Sequence, residues 1–584
     1  MLRALTVEEI CKKLKPIMGK KVDSIYLRYK LADDRETKAE IEKALHALFE
    51  KKLNTSLLDE KVLLLPPENL DGEYPLGTIK YAEKKFNPFC LREHDFVRHV
   101  CISGMSGSGK TNLAFIILED LIKKKKPFIV FDWKRSFRPL LKKDKKLLCF
   151  TVGNANVSNL FRININEPPA GVDPKEWVGL LCDLITESFF ASYGVHKILT
   201  ETVDRAFRDF GVYNGSKNYP TWHQIKDRLE EKEADMKGKK GRDSEWITSA
   251  LRIAHALTFG HFGAAVNCKD KYALKVEDLL DKRVLFELNS LSNAEKKFFC
   301  EFILTYIYKL KKASDESSTE DFKSAILVDE AHNIFLKDKT TFIKESVTEM
   351  IYREVREYGI SLICLDQHIS KLSDVVAGNS ACNIAFQQML PQDVDCISGL
   401  MQIRDNRNYF TMLPVGTAIV KLAERHFAPF EMEVPLSGIK KQQVSDKELA
   451  QKMKNIIKEN KSLRLFKERC DTNNLKKQLS KVDLICKRSG VKTKGSAIDL
   501  TTKPISHSYE LAKEQKKFLR FCNKKPRMGV AKVYESLGLS ARKGNKLKQE
   551  LVSLGFVKVA ETKDQKGWKK TIQLTDLGKK AIKA

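Results

Sequence analysis

The sequence predicts an α/β protein in which buried strands alternate with helices. An all-α insertion interrupts this core, a helical region precedes it, and a small helix-and-hairpin unit follows it. Three observations carry the prediction. The glycine-rich octapeptide "GMSGSGKT" (Gly104 to Thr111) stands between an apolar run, "HVCIS", and a helical one, "TNLAFIILEDLI". About 220 residues later, four apolar residues from Ala325 to Val328 lead into the carboxylate pair Asp329-Glu330. Further apolar runs, "RVLFELN" (Arg283 to Asn289) and "GISLICLDQ" (Gly359 to Gln367), recur at intervals filled by helical sequence, the pattern of strands joined by helical crossovers.

In chain order, residues 1–75 form a helical N-terminal region: "RETKAEIEKALHALFEKKL" sets Ile41, Leu45 and Leu48 on one helical stripe. The core spans 76–436. Val100, Cys101 and Ile102 read as a buried strand, and the octapeptide after them fits G-x-x-x-x-G-K-[ST]. Gly104, Gly107 and Gly109 leave the backbone free to curl, so that N–H groups along Gly104, Met105, Ser106, Gly107, Ser108 and Gly109 point inward at phosphate oxygens. The helix start that follows adds partial positive charge. Lys110 would reach the β- and γ-phosphates of ATP, and the Thr111 hydroxyl would take Mg²⁺. An incidental Gly/Ser turn would not need a strand before it and a helix after it.

"KKKKPFIVFDWK" (Lys123 to Lys134) ends a strand in Asp132, on the ligand side of an open α/β sheet. Asp132 is therefore a candidate nucleotide contact, with capping of the next turn as the competing role. Residues of about 170–275 read as the all-α insertion, in which Pro220-Thr221 followed by Gln224 marks a helix start and "GKKGRD" (Gly238 to Asp243) an exposed loop. Asp329 would hold the Mg²⁺ shell, and Glu330 would orient and polarise the attacking water as base. Gln367, at the next strand end, would sense the γ-phosphate or merely cap the strand. "CNIAFQQ" and "GTAIVKL" add two shorter strands to a parallel-type sheet. In "YREVREYG", Arg353 and Arg356 are three apart on one helix face. In a ring, that face would present an arginine to a neighbour's γ-phosphate; otherwise it is a solvent face paired with Glu354 and Glu357.

A chain of 584 residues is too long for one core. No apolar run approaches the roughly 20 residues of a membrane span, and "MLRALTVEEICKKLK" lacks a signal peptide's apolar block. Thirteen scattered cysteines without a C-x-x-C pair argue against a disulfide framework or a zinc finger and for a cytoplasmic protein. The net charge of +28 is uneven: 37 Lys/Arg face 14 Asp/Glu from Lys441 onward, against 67 and 62 before it. A nearly neutral body with a strongly basic end predicts a polyanion partner, with a solubilising tail as the alternative.

Residues 437–506 read as a basic helical linker, with "KNIIKENKSLRLFKERC" amphipathic. In 507–584, three helices and a two-stranded hairpin resemble a winged helix-turn-helix. Ser540 would cap the third helix, and Leu547, Leu551 and Leu554 would face inward. Arg542, Lys543 and Lys546 would lie outward on the recognition helix, and Lys566, Lys569 and Lys570 on the wing. Winged helices also bind proteins; the charge places DNA first.

Taken together, "GMSGSGKT", "FDWK", "RVLFELNSLS", "ILVDEAHN", "REVREYGISLICLDQ" and "LPVGTAIV" resemble the HerA/FtsK superfamily of ring ATPases, nearest its HerA branch, over roughly Tyr74 to Glu433. The resemblance implies a RecA-like P-loop ATPase core, a homohexamer with ATP between subunits, and movement along double-stranded DNA. It implies an accompanying nuclease or other effector, in DNA end processing or phage defence; the lack of a long apolar run, not the resemblance, predicts no membrane partner. It maps Lys110 and Thr111 to the P-loop pair, Asp329 to the metal-binding acid, Glu330 to the base, Gln367 to the strand-end glutamine, and Arg356, or next Arg353, to the ring arginine. Two departures stand out: a helical N-terminus where HerA proteins have a small β-barrel, and Asp366 where the family has Thr or Ser before the glutamine. "FDWK" and the helical insertion are also similar to conjugative coupling ATPases, which deliver DNA to a secretion channel. A DNA-binding regulator switched by ATP is the reading from another class; a switch alone does not need Glu330.

Overall fold

The computed structural model describes residues 5–53, 62–82, 84–154, 157, 161–236, 241–269, 273–314, 319–337, 346–439, 444–459, 513–524, 528–553, 556–564, 567–575 and 579. They fall in two compact units, up to Ile485 and from Cys486 onward.

An eleven-stranded sheet organises the first unit. Its strands are β1 (Tyr74–Tyr81), β2 (Lys84–Leu91), β3 (Val100–Ser103), β4 (Phe128–Asp132), β5 (Leu148–Thr151), β6 (Arg283–Glu287), β7 (Thr319–Asp329), β8 (Tyr358–Asp366), β9 (Cys382–Ala385), β10 (Thr417–Leu422) and β11 (Phe430–Glu433). Their order is β2-β1-β11-β10-β9-β3-β8-β7-β4-β6-β5. From β9 to β5 every pairing is parallel. These strands are buried on both faces, which is why β3 and β4 are wholly buried runs rather than alternating ones. The "GTAIVKL" strand corrects the expectation of a parallel-type sheet throughout. β10 runs antiparallel to β9, with Ile419 opposite Ala385, and the short connection from β10 to β11 permits only an antiparallel partner there as well.

The parallel register sets the functional edge. Ser103 pairs with Asp366, Asp329 with Leu365, and Val328 with Phe131. The residues following β3, β4, β7 and β8 therefore emerge along one edge of the sheet, where ligands of such sheets bind.

Among the described residues, five α-helices run between β5 and β6: Pro174–Ser188, Tyr193–Asp209, Trp222–Asp235, Arg242–Thr258 and Gly260–Val266. Thr221 and Gln224 form a capping box at the third, the Thr221 N–H donating to Gln224 Oε1 at 2.7 Å. Trp177 is fully buried, and its indole N–H donates to the Ile165 carbonyl at 3.1 Å. Ahead of the sheet, the helices Val7–Met18, Lys20–Leu31 and Arg35–Leu53 close a small core of Ile10, Leu14, Val22 and Leu45 with Tyr81 of β1. No helix among the described residues is long and apolar enough to cross a membrane.

The chain stays on the core after β11. Val444 and, from the helix Asp446–Glu459, Leu449, Met453 and Ile456 are buried in the same cluster as the sheet. Arg138 fixes this return. Its guanidinium grips Glu287 at the end of β6 with hydrogen bonds of 2.6 and 2.5 Å and reaches Asp446 at 2.6 Å. The Arg138 and Glu287 side chains are only 4% and 1% exposed, so Arg138→Ala strands a buried carboxylate. We expect a stability loss of about 3–5 kcal/mol, read as a lower midpoint in thermal unfolding. An unchanged midpoint would remove this pair from the stabilising set.

The second unit contains the helices Lys513–Lys524, Val530–Ser536 and Ala541–Ser553, followed by a hairpin of β12 (Val557–Asp564) and β13 (Gly567–Leu574). Phe518, Leu519, Val533, Tyr534, Leu547, Leu551 and Ile572 form its core. Gly544 lets two helices meet, since a Cβ there would lie 2.5 Å from the Tyr534 ring. The Lys543 N–H donates to the hydroxyl of Ser540 at 3.3 Å, as a helix cap does. Leu554, Lys566, residues 238–240 of the "GKKGRD" loop and residues 460–512 lie outside the described residues.

Candidate active site

The glycine loop bridges β3 and the helix Lys110–Lys123. Gly104, Gly107 and Gly109 have φ of 153°, 83° and 127°, values that side chains resist. A Cβ on Gly104 would lie 2.7 Å from Phe386 and Ser108, and one on Gly109 would lie 2.9 Å from the Phe386 ring. A Cβ on Gly107 would meet nothing within 4 Å, so the loop's crown is open while its base is packed. Backbone bonds from outside hold the shape: Met105 N–H to the Gln387 carbonyl at 2.7 Å, Gly104 N–H to the Asp366 carbonyl at 3.2 Å, and Gly416 N–H to the Ser108 carbonyl at 2.9 Å. Ser108 is buried, its hydroxyl donating to the Met105 carbonyl at 2.8 Å, while Ser106 and Gly107 are exposed.

Lys110 is buried. Its ammonium donates to the carbonyls of Gly104 and Met105, the latter at 2.8 Å. Burial pushes its pKa down to about 8, against the pull of Glu330, Asp366 and Asp329. Thr111 follows at the helix start, partly exposed. The Asp329 carboxyl is pushed up to about 7 by burial, then by the charges of Asp132 and Glu330. A hydroxyl and a carboxylate on this edge form the hard-oxygen donor set that suits Mg²⁺, and an open loop of backbone N–H groups with one lysine suits nucleotide phosphates.

Asp132 takes the capping role. It is fully buried, and its oxygens accept from the N–H groups of Lys134, Ser136 and Phe137 at 3.2, 2.8 and 2.8 Å. Burial still pushes its pKa up to about 6 against those bonds.

Glu330 is the centre of the edge. It is buried, with a left-handed φ of 53°, and its carbonyl accepts from the Asn333 backbone and amide, each at 3.0 Å. Its Oε1 accepts from the Gln367 amide and pairs with the Lys134 ammonium. Gln367 and Glu330 therefore meet, at the ends of β8 and β7. Beside them, Asp366 accepts from the His332 and His368 N–H groups, and His332 Nδ1 lies 3.1 Å from both its oxygens. Burial opposes a charge on the His332 ring, but the bond to Asp366 and its charge outweigh it, and the ring's pKa stands above the usual value. Asp366, the departure from the family pattern, thus ties the two strand ends together through His332. Sequence reasoning passed over Lys134 and His332. The available signal was position, since each lies two residues beyond a candidate carboxylate on the same edge.

Arg353 and Arg356 lie elsewhere. They precede β8, whose nine residues put them about 30 Å from Gln367 at roughly 3.3 Å per residue. The helix Val347–Glu354 ends between them and tightens to a 3₁₀ turn, Val355–Glu357, so they do not share one α-helical face. Both are exposed, and Glu354 is engaged by the Tyr308 hydroxyl and by Lys312. In the second unit Arg542, Lys543 and Lys546 lie on the helix Ala541–Ser553, with Lys543 exposed, and Lys569 and Lys570 lie on β13.

Residues 74–255 match the family model described as Helicase HerA, central domain. The chain is 20% identical over 310 residues to a DNA double-strand break repair helicase HerA of Sulfolobus acidocaldarius, covering 52% of this chain and 57% of the relative. To its namesake in Saccharolobus solfataricus it is 22% identical over 376 residues, 60% of this chain and 66% of the relative. The match thus spans less than two thirds of these relatives. The fold is similar to VirB4 of Thermoanaerobacter pseudethanolicus, at 13% identity and a TM-score of 0.50, covering 63% of this chain and 98% of that one. Over residues 74–255 the core built around the glycine loop is thus similar to the central domain of HerA helicases, and in fold the core is similar to VirB4.

Proposed function

We propose that this protein hydrolyses ATP and uses the energy to move along double-stranded DNA as a ring of identical subunits, a hexamer. The observation that carries the reading is Glu330, a buried carboxylate in hydrogen-bond contact with Gln367 on the edge that holds the glycine loop. A nucleotide-controlled switch has no use for a base in that place, whereas hydrolysis does. Lys110 and the loop N–H groups hold the phosphates, Glu330 takes the proton of the attacking water, and Gln367 orients it. Mg²⁺, held by Thr111 and Asp329, would neutralise phosphate charge. The names of the HerA relatives support DNA repair helicases as the functional class.

A second copy suits the flank of the loop. Met389, Leu390, Met412 and Val415 are 57%, 51%, 55% and 72% exposed, on segments whose backbone braces the glycine loop through Gln387 and Gly416. In a ring the exposed Arg356, or Arg353, reaches the nucleotide of a neighbour. The basic second unit is a winged helix that grips DNA, and a nuclease or other effector uses the motor's movement.

The test is hydrolysis with and without duplex DNA, together with mass photometry in ATP and Mg²⁺. We expect DNA to stimulate turnover and rings to form; a monomer whose turnover ignores DNA overturns the reading. The second unit should supply most of the general DNA affinity. Each phosphate contact contributes about −0.9 to the log–log salt slope, so ending the chain at Ile485 should flatten the slope by several such contacts. Duplex anisotropy from about 50 to 200 mM salt reads this. Equal slopes would make the unit a docking module for protein.

A further inference from the structure

The basic side chain that touches Glu330 does not belong to the glycine loop. Lys134 follows β4, and its position is fixed from both sides. Its own N–H donates to Asp132 at 3.2 Å. The neighbouring Trp133 is buried under Lys296, whose ammonium sits 5.2 Å from the ring centre and donates to the Trp133 carbonyl. Only the four-carbon arm of Lys134 is left to move, and it is 52% exposed. Among the described residues its one ion pair is with Glu330 Oε1, the oxygen that also accepts from Gln367.

An oxygen that already pairs with an ammonium and an amide has its lone pairs occupied and is badly placed to take a proton from water. Oε2 stands 3.8 Å from His332 Nδ1, so what the two bonds to Oε1 latch is the orientation of the carboxylate. We propose that Lys134 is a positioning residue that exchanges Glu330 for the third phosphate of the nucleotide, so that a triphosphate, and not a diphosphate, frees the base. The inference rests on the ATPase reading above.

Two arguments support it. A base stands within one water of the phosphorus that it serves, so a cation in contact with Glu330 lies beside the third phosphate rather than the second. An ion pair with a half-exposed lysine is also weak, about 0–1 kcal/mol, so a terminal phosphate of higher charge outcompetes it.

The experiment measures binding of fluorescent ADP and of a non-hydrolysable ATP analogue, with Mg²⁺, to the full-length protein. Wild type, Lys134→Gln, Lys134→Arg, Glu330→Gln and the Lys134→Gln/Glu330→Gln double variant are compared. A charge-assisted bond predicts about tenfold weaker analogue binding by Lys134→Gln, with ADP unchanged. Lys134→Arg should retain most of the preference. Glu330→Gln, which releases Lys134 from its partner, should bind the analogue several-fold tighter, and the double variant should lose that gain. Equal effects on ADP and analogue, or a Glu330→Gln gain that persists without Lys134, overturn the exchange and make the pair a static brace. A wild-type protein that binds neither nucleotide overturns the ATPase reading itself.

Discussion

Glu330→Gln is expected to lower ATP turnover by about 10²- to 10⁴-fold, the usual contribution of a general base, while nucleotide still binds. Glutamine keeps the length and volume of the side chain and can hydrogen-bond Gln367 amide to amide. Its carbonyl oxygen is too weak a base to draw a proton from water. The backbone gives a further reason to expect a local effect. Glu330 sits at φ 53°, a conformation costing a non-glycine residue about 1–3 kcal/mol, and its carbonyl is held there by Asn333 from two donors. Those bonds do not involve the carboxylate, so the variant retains the turn that presents the side chain. Steady-state phosphate release reads the chemical loss, and anisotropy of a fluorescent nucleotide reads the binding that remains. In mass photometry with ATP and Mg²⁺ the variant should favour a stable ring, since a bound triphosphate is no longer consumed. Wild-type turnover would assign the base elsewhere.

The functional edge was legible in the sequence because its parts are local. A strand, glycines at fixed spacing, a lysine and a helix form a contiguous signal, and so does an apolar run ending in two carboxylates. What remained hidden depends on which strand lies beside which. Asp132 could be a ligand or a cap from its strand-end position alone; only the turn's N–H groups, folded back onto it from Lys134, Ser136 and Phe137, settle its carboxylate as a cap. Asp366 looked like a departure at a glutamine motif. Its partner His332 is 34 residues away and becomes visible only when β7 and β8 pair. The reversed direction of β10 was hidden for the same reason, since a short apolar strand reads alike in either direction. The role of Arg138 was out of reach because Glu287 is 149 residues distant and Asp446 is 308.

Lys110→Ala should abolish hydrolysis and weaken triphosphate binding by about 10²-fold or more, because two or more charge-assisted bonds at roughly 1.5–3 kcal/mol each are lost. The loop itself should survive. Its anchors are the backbone bonds to Gln387, Asp366 and Gly416, and alanine is a favourable residue in the first turn of a helix. What is lost is the single ammonium that the loop encloses, now donating to the Gly104 and Met105 carbonyls. The same ammonium predicts a pH dependence. Burial lowers its pKa to about 8, so the cation is present below that value and is lost as pH rises through it. Phosphate binding favours the protonated form, so wild-type triphosphate affinity should be flat below about pH 8 and fall above it, a trend that Lys110→Ala should not show. Titrations of a fluorescent ATP analogue from about pH 7 to 9.5 would measure both effects. Unchanged DNA-stimulated hydrolysis in Lys110→Ala would separate the glycine loop from the chemistry, and a pH trend identical in both proteins would assign the titrating group to another residue.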